Sequence, residues 1–511
     1  MNIIDTDLLS IQEARILAEN AVEAQKTLAS FSQEKLDQIV EAVARAVEPQ
    51  AQALAVLSAE ETEYGRWQDK LVKNQFVCGH VLRHLRGMRC VGIIEEDREK
   101  QLMDIGVPMG VILGFCPATS PVSTTLYKTL IAIKSGNALI FSPHPRAQKT
   151  MGRVLDLIIE AAEENGLPQG ALSYLHTVSA AGAKELMNHP GISMILNTGV
   201  PSLLSAAHAS GKSVIFGGTG NGPAFIERSA DIDQAVQDII LSKTFDNGVV
   251  SAAEQSIVVD GCIADQVKAS LQKQGAYFMS HEESLRLASH FFCPKGALNT
   301  RMVGVDAKTL AGRAGFTVPQ GTRVLIAQRK YVSQDDPYSR EKLCPVLTFY
   351  VEDDWMHACE KCIELLLGEK SGHTLVIHSR DEAVIRQFAL KKPVGRMLVN
   401  TPASLGSMGA TTHLFPSMSL GSASAGEGIT ADNVSPMNLI YRRKVGYGVR
   451  KVDVLSANGL GTSQVTIDEP KNLDGNPLKI ESPKAAAKDL DLEQVQQILN
   501  QVLKEALGKG L

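Results

Sequence analysis

The chain has 511 residues, 44% apolar and 21% charged, enough for two to four domains at roughly 150 residues each. Its 51 basic and 56 acidic residues leave a net charge of -5, which speaks against a nucleic-acid binder. No apolar run is long enough to span a bilayer, the start MNIIDTDLLSIQEARILAEN has no apolar signal core, and the eight cysteines are scattered, so the expectation is a cytoplasmic protein with reduced thiols, bound to neither membrane nor nucleic acid.

The first 90 residues read mostly as amphipathic helices, with Leu36, Ile39, Val40, Val43, Ala44 and Val47 at helical spacing. From about Asp104 the texture changes. VPMGVILGFCPA is β-rich, TLYKTLIAIKSG reads as a helix closed by Gly136, and NALIFSPHP as a buried strand. The helix RVLDLIIEAAEENGLP follows, then the strand SYLHTV, a helix, the strand SMILNTG and a short helix. The run SVIFGGTGNGPAFIE and the helix DIDQAVQDIILSKTF complete the first half. Short apolar strands alternating with helices predict an α/β fold, its parallel sheet covered on both faces and its ligands at the strand ends. Residues 252–430 repeat this texture and predict a second α/β domain.

Beyond about residue 455 the chain turns polar, with Gly, Pro and Asn punctuation, and 456–484 reads as a linker. In 485–511, Leu492, Val495, Leu499, Val502 and Ala506 share one helical face, which Ile498, Leu503 and Leu507 widen. Asp489 or Asp491 can cap this helix and Gly508 can stop it. Tethered by a polar linker, it is more simply a docking element than part of the core.

No G-x-G-x-x-G follows the first strands, and there is no Walker loop or H-E-x-x-H. GGTGNG, from Gly217 to Gly222, lets backbone approach a ligand closely, although a plain glycine turn reads equally well. SPHPRA, from Ser142 to Ala147, offers a hydroxyl, an imidazole and a guanidinium suited to phosphate or ribose. Cys359 and Cys362 form C-x-x-C on an apparent helix with no second pair nearby, which reads as core and not as a zinc or redox site.

Four segments together carry a resemblance that none carries alone: SPHPRA, SKTFDNGVVSAAEQS at 242–256, EKLCPVL at 341–347, and NTPAS at 400–404 followed by PSMSLG. With them, Gly106 to about Asn433 resembles the aldehyde dehydrogenase superfamily, closest to its CoA-acylating branch. The resemblance implies a Rossmann-type NAD-binding domain plus a second α/β catalytic domain. It also implies a thiolate that adds to an aldehyde, hydride transfer to NAD, and capture of the resulting enzyme thioester by coenzyme A. Sulfur suits this because it is partly ionised near neutrality and exchanges thioesters at little cost.

The chain departs from the family at the nucleophile, where Ser251 stands in place of cysteine. A serine hydroxyl is un-ionised at pH 7, and no base motif accompanies it, so the chain is expected to be nearly inactive as written. Either a Cys→Ser replacement made to trap a state or a natural pseudoenzyme accounts for this, and the otherwise intact motif favours the former. Cys116, at a strand end, reads as a buried small residue and not as a substitute nucleophile. Gly217 stands where hydrolytic relatives carry a general-base glutamate, which favours release to CoA over release to water. The resemblance puts Glu341 on the nicotinamide ribose and Ser142, Pro143, His144, Thr198, Gly199, Gly217 and Gly218 along the dinucleotide cleft. Thr119 falls in the oxyanion region, with Ser120 where the acylating branch has Asn, and the N–H of residue 251 can donate there.

The tail resembles the encapsulation peptides of bacterial microcompartment cargo, which implies docking of 485–511 on shell or cargo proteins. The expected layout is 1–250 for NAD binding with an oligomerisation hairpin near 95–107, 251–436 for catalysis, and 437–455 as a return segment, in a homodimer or homotetramer. The expected reaction is oxidation of acetaldehyde or propionaldehyde to acyl-CoA. The alternatives are a catalytically dead scaffold or cargo adaptor, and a hydrolytic or semialdehyde dehydrogenase. No metal site is expected.

Overall fold

The computed structural model describes residues 5–293, 296–368 and 373–449. Residues 1–446 form one unit, and of the second unit, 447–511, only Tyr447–Val449 are described. The linker at 456–484 and the docking helix at 485–511 lie outside the described residues.

The N-terminal helices are Thr6–Leu28, capped by the Asp5 carboxylate, and Gln33–Val47, capped by Ser32. The second buries Leu36, Ile39, Val40, Val43, Ala44 and Val47, the stripe its spacing predicts. Each large aliphatic side chain so buried contributes about 1.5 to 3 kcal/mol.

A three-stranded antiparallel sheet follows, formed by β1 (Gly92–Asp97), β2 (Leu102–Pro108) and, from much later in the chain, β15 (Ile440–Gly446), in the order β1-β2-β15. The hairpin expected near 95–107 and the return segment are thus paired strands, with Lys444 Nζ 2.6 Å from the buried Asp104 carboxylate.

The first parallel sheet contains β3 (Val111–Phe115), β4 (Leu139–Ser142), β5 (Leu172–Tyr174), β6 (Ile192–Thr198) and β7 (Ser213–Gly217), in the order β5-β4-β3-β6-β7. The chain steps outward from β3 through β4 to β5, then returns to the other side of β3 with β6, so the strand order reverses at β3. Such a reversal opens a crevice at the carboxyl ends of the strands. The helix Pro121–Lys134 after β3 is buried along its whole length. Its Lys128 ammonium donates to the carbonyls of Phe115 and Leu196, tying together the ends of β3 and β6.

The second parallel sheet is larger. Its members are β8 (Pro223–Ile226), β9 (Ser256–Asp260), β10 (Ala276–Phe278), β11 (Val324–Gln328), β12 (Val346–Glu352), β13 (Thr374–His378) and β14 (Arg396–Val399), in the order β10-β11-β12-β9-β8-β13-β14. The run SVIFGGTGNGPAFIE divides between the sheets, SVIFG in the first and PAFI in the second. The change of sheet therefore falls at Gly218–Gly222, well before the boundary expected at residue 250. The helix Ile232–Thr244 packs its apolar face with β8, β9 and β11 in the core of the second sheet. Cys359 and Cys362 are buried and unbridged on the helix Trp355–Gly368, as core residues. No described helix is long and apolar enough to cross a membrane, and no described cluster of acids, histidines and cysteines can hold a metal ion.

Candidate active site

Position 251 is reached through an unusual turn. After the helix Ile232–Thr244, Asp246 (φ 48°), Asn247 (φ 52°) and Gly248 (φ 74°) are all left-handed. Asp and Asn tolerate that region only as single residues in isolation, so the turn needs outside support. Asp246 supplies most of it. Its Oδ1 accepts from the Arg66 N–H at 2.7 Å, and its Oδ2 lies 2.5 Å from Lys73 Nζ and 3.2 Å from Lys70 Nζ. Both lysines stand on the helix Trp67–Gln75 and are themselves buried. Burial alone would raise the Asp246 pKa, but the two ammoniums hold it below the ordinary range. Lys70 in turn is pushed down to about 8, by burial against the pull of Asp246. The Asn247 amide adds a hydrogen bond to the Gly304 carbonyl at 2.9 Å.

Beyond the turn, Ser251 faces a cavity of about 330 Å³. Its hydroxyl does have a basic partner, contrary to the sequence expectation. His373 Nε2 lies 3.0 Å from Ser251 Oγ, and His373 Nδ1 lies 2.7 Å from Thr374 Oγ1. The imidazole is buried, and burial with the neighbouring Arg396 charge lowers its pKa to about 3, so it stays neutral. Arg396 also donates to the His373 carbonyl at 2.7 Å, which fixes the residue at the mouth of β13.

The glycine run shapes the other wall. A Cβ on Gly220 would sit 1.7 Å from the Ser251 carbonyl oxygen, and one on Gly222 would sit 2.5 Å from the Thr374 oxygen. Only glycine permits these approaches, so the run is more than a plain turn. The Gly220 N–H donates to Glu341 Oε1 at 2.8 Å, bringing that carboxylate to the cavity. A Cβ at Gly217 would press on the Leu420 carbonyl oxygen at 3.2 Å, and one at Gly218 on the Phe216 ring at 3.0 Å.

The predicted site residues converge. Ser251, Thr119, His144, Thr198, Gly199, Gly217, Gly218 and Glu341 all line the first cavity. Ser142 and Pro143 line a second cavity of about 380 Å³ at the ends of β3, β4 and β6, and His144 borders both. His144 Nδ1 accepts from the Arg146 N–H, which leaves Nε2–H as a donor. Cys116 lines the second cavity and not the one that holds Ser251, and burial pushes its thiol pKa up. Ser120 accepts from Lys73 Nζ at 2.6 Å, leaving its own O–H to donate. Sequence reasoning missed His373, Lys70, Lys73 and Asp246. Only the last lay inside a quoted motif, FDNGVV, where its pairing leaves no sequence signal.

Comparison with known proteins fits this geometry. The aldehyde dehydrogenase family profile matches residues 2–280, and the chain belongs to that family. The bifunctional aldehyde-alcohol dehydrogenase AdhE of Escherichia coli K12 is 36% identical over 441 residues, covering 85% of this chain and 49% of that protein. The chain thus spans about half the length of such curated relatives. The succinate-semialdehyde dehydrogenase (acetylating) of Clostridium kluyveri is 31% identical, over 88% of this chain and 98% of its own length. Among solved structures, an acetylating aldehyde dehydrogenase from Geobacillus thermoglucosidasius superposes with a TM-score of 0.85 at 41% identity, covering 88% of this chain and 99% of that one. A propionaldehyde dehydrogenase from the Clostridium phytofermentans fucose utilisation bacterial microcompartment gives 0.75 at 29% identity, covering 85% and 98%.

Proposed function

We propose that this cleft is built for NAD-dependent, CoA-acylating oxidation of a short aldehyde, acetaldehyde or propionaldehyde, and that Ser251 in the nucleophile position leaves the present chain nearly inactive in that reaction. The observation that carries the reading is the placement of residue 251: its side chain meets a neutral imidazole where two adjoining cavities end on a sheet reversal. The acetylating and propionaldehyde-oxidising relatives support it.

The residues present fit a dinucleotide. The glycine-cradled first cavity and the hydroxyl- and imidazole-lined second one offer close backbone and donor groups at a strand reversal. Ser142, Pro143 and His144 would hold the adenosine side, and Thr198, Gly199, Gly217, Gly218 and Glu341 the nicotinamide side. When bound, NAD accepts the hydride. The chain's own part is to orient the aldehyde at residue 251, with Ser120, Thr119 and the residue-251 N–H around the carbonyl oxygen, and to receive the nucleophile's proton on His373. Gly217 leaves no carboxylate to activate water, so CoA is the acyl acceptor.

The test compares this chain with its Ser251→Cys form, each given acetaldehyde or propionaldehyde and NAD, with and without CoA. Turnover by the cysteine form alone, sustained only with CoA, is the expected result. Silence of the cysteine form with both aldehydes would favour a catalytically dead scaffold, the reading to which Ser251 itself lends weight. We further propose a homodimer or homotetramer built on the β1-β2-β15 sheet, where Ile93 and Tyr441 are exposed, and a microcompartment lumen as location. Deleting 485–511 should abolish co-assembly with shell proteins without changing catalysis of the cysteine form.

A further inference from the structure

Ser251 has what a hydroxyl nucleophile at this position needs. A thiolate is nucleophilic by itself, whereas a hydroxyl needs a base, and here the Ser251 hydroxyl stands 3.0 Å from His373 Nε2. Thr374 Oγ1 lies 2.7 Å from the other ring nitrogen and can accept Nδ1–H, which turns the Nε2 lone pair toward the serine. The imidazole is shut away from solvent and neutral. Ser120 lines the same cavity, its oxygen already accepting from Lys73 Nζ, so its O–H is available to a developing oxyanion. A serine, a neutral imidazole held from behind and an oxyanion donor make an acyl-transfer centre.

We propose that Ser251 takes acyl groups from acyl-CoA thioesters and holds them as an oxygen ester, so that the chain is a one-way acyl acceptor. This rests on reading the cleft as a site for CoA thioesters. Ser251 Oγ bonds to the thioester carbonyl carbon while its proton passes to His373 Nε2. The carbon–sulfur bond then breaks, and that proton moves on to the departing sulfur. The products are the Ser251 ester and free CoA thiol, with no change of oxidation state. Burial, and then Arg396 beside the ring, disfavour a lasting imidazolium, so His373 relays the proton and does not store it. A thioester is the more energetic acyl donor, which makes the transfer downhill and its reversal by CoA thiol slow. Gly217 supplies no carboxylate for water, so hydrolysis falls to His373, whose ring is shut away from solvent, and the ester forms faster than it is hydrolysed.

The experiment incubates the full chain with propionyl-CoA in the absence of NAD. Intact mass, peptide mapping and released thiol are followed. The expected result is a single propionyl group on Ser251 that survives neutral hydroxylamine, with one thiol released per chain. Ser251→Ala should take no label, and His373→Ala should be acylated on the order of 100-fold more slowly. Thr374→Val, a milder change, gives an intermediate rate should His373→Ala fail to fold. The Ser251→Cys form serves as reference, labelled by a hydroxylamine-sensitive thioester. If it is labelled while the parent chain is not, the proposal falls and the CoA-site reading stands. If neither is labelled, both fall. Label on a cysteine of the parent chain, lost to hydroxylamine, would also overturn it.

Discussion

Two buried carboxyls flank position 251, and their pKa values are pushed in opposite directions. Upstream, Asp246 is ionised, gripped by Lys70 and Lys73 from the helix Trp67–Gln75. Downstream, Glu254 is equally buried, but its Oε1 accepts from the Ala403 N–H at 2.9 Å, and its Oε2 has no partner among the described residues. Burial raises the Glu254 pKa to about 7. Burial acts in the same direction on both acids, and two nearby ammoniums reverse it for one. The difference teaches that residue 251 is positioned from the upstream side, by charge, while the downstream side is packed and merely hydrogen-bonded.

The contrast can be broken most forcefully at Asp246. Asp246→Ala would strand two buried ammoniums, and a loss of about 3 to 5 kcal/mol in urea unfolding is expected. A loss under about 1 kcal/mol would mean the lysines are neutral and the contrast false. Next in size, Gly220→Ala forces a methyl onto the Ser251 carbonyl oxygen. In the Ser251→Cys background it should cut turnover on the order of 100-fold while circular dichroism stays native.

Glu254 gives a pH test. Its folded pKa of about 7 exceeds the ordinary 4.5, so the folded chain holds a proton that the unfolded chain has released between those values. Stability is therefore lost as pH rises through that window. Glu254→Gln should be more stable than the parent by about 3 kcal/mol above pH 7, and the gain should vanish toward pH 4.5. A constant gain at all pH values would show that Glu254 is not the titrating group. The smallest effect belongs to Thr374→Val, which removes the support behind His373. About 1 kcal/mol of stability and a slower acylation of Ser251 are expected, by thermal melts and intact mass.

The strands and helices of the first sheet were legible because short apolar runs between turn signals have few other solutions. The line between the sheets was not. SVIFGGTGNGPAFIE reads as one run with a glycine turn inside it, and that the turn carries the chain from one sheet to the other shows only in the close approach of Gly220 and Gly222 to the Ser251 and Thr374 carbonyls, a tertiary fact. His373 was invisible for the same reason: a lone histidine before a strand becomes a partner only through a contact across 122 residues. Lys70 and Lys73, spaced like a solvated helix face, gave no sign of burial. Residues that line the two cavities were found because they sit in long quoted motifs, and their placement follows from strand ends that the apolar pattern already marked.

The crossing from β7 to β8 carries a mechanical consequence. The chain passes between the two sheets only a few residues from Gly220, whose backbone leans on the carbonyl of residue 251 and whose N–H holds Glu341. A connection laid through the reacting centre ties the spacing of the two sheets to the alignment of the chemistry between them, so a change in one is a change in the other.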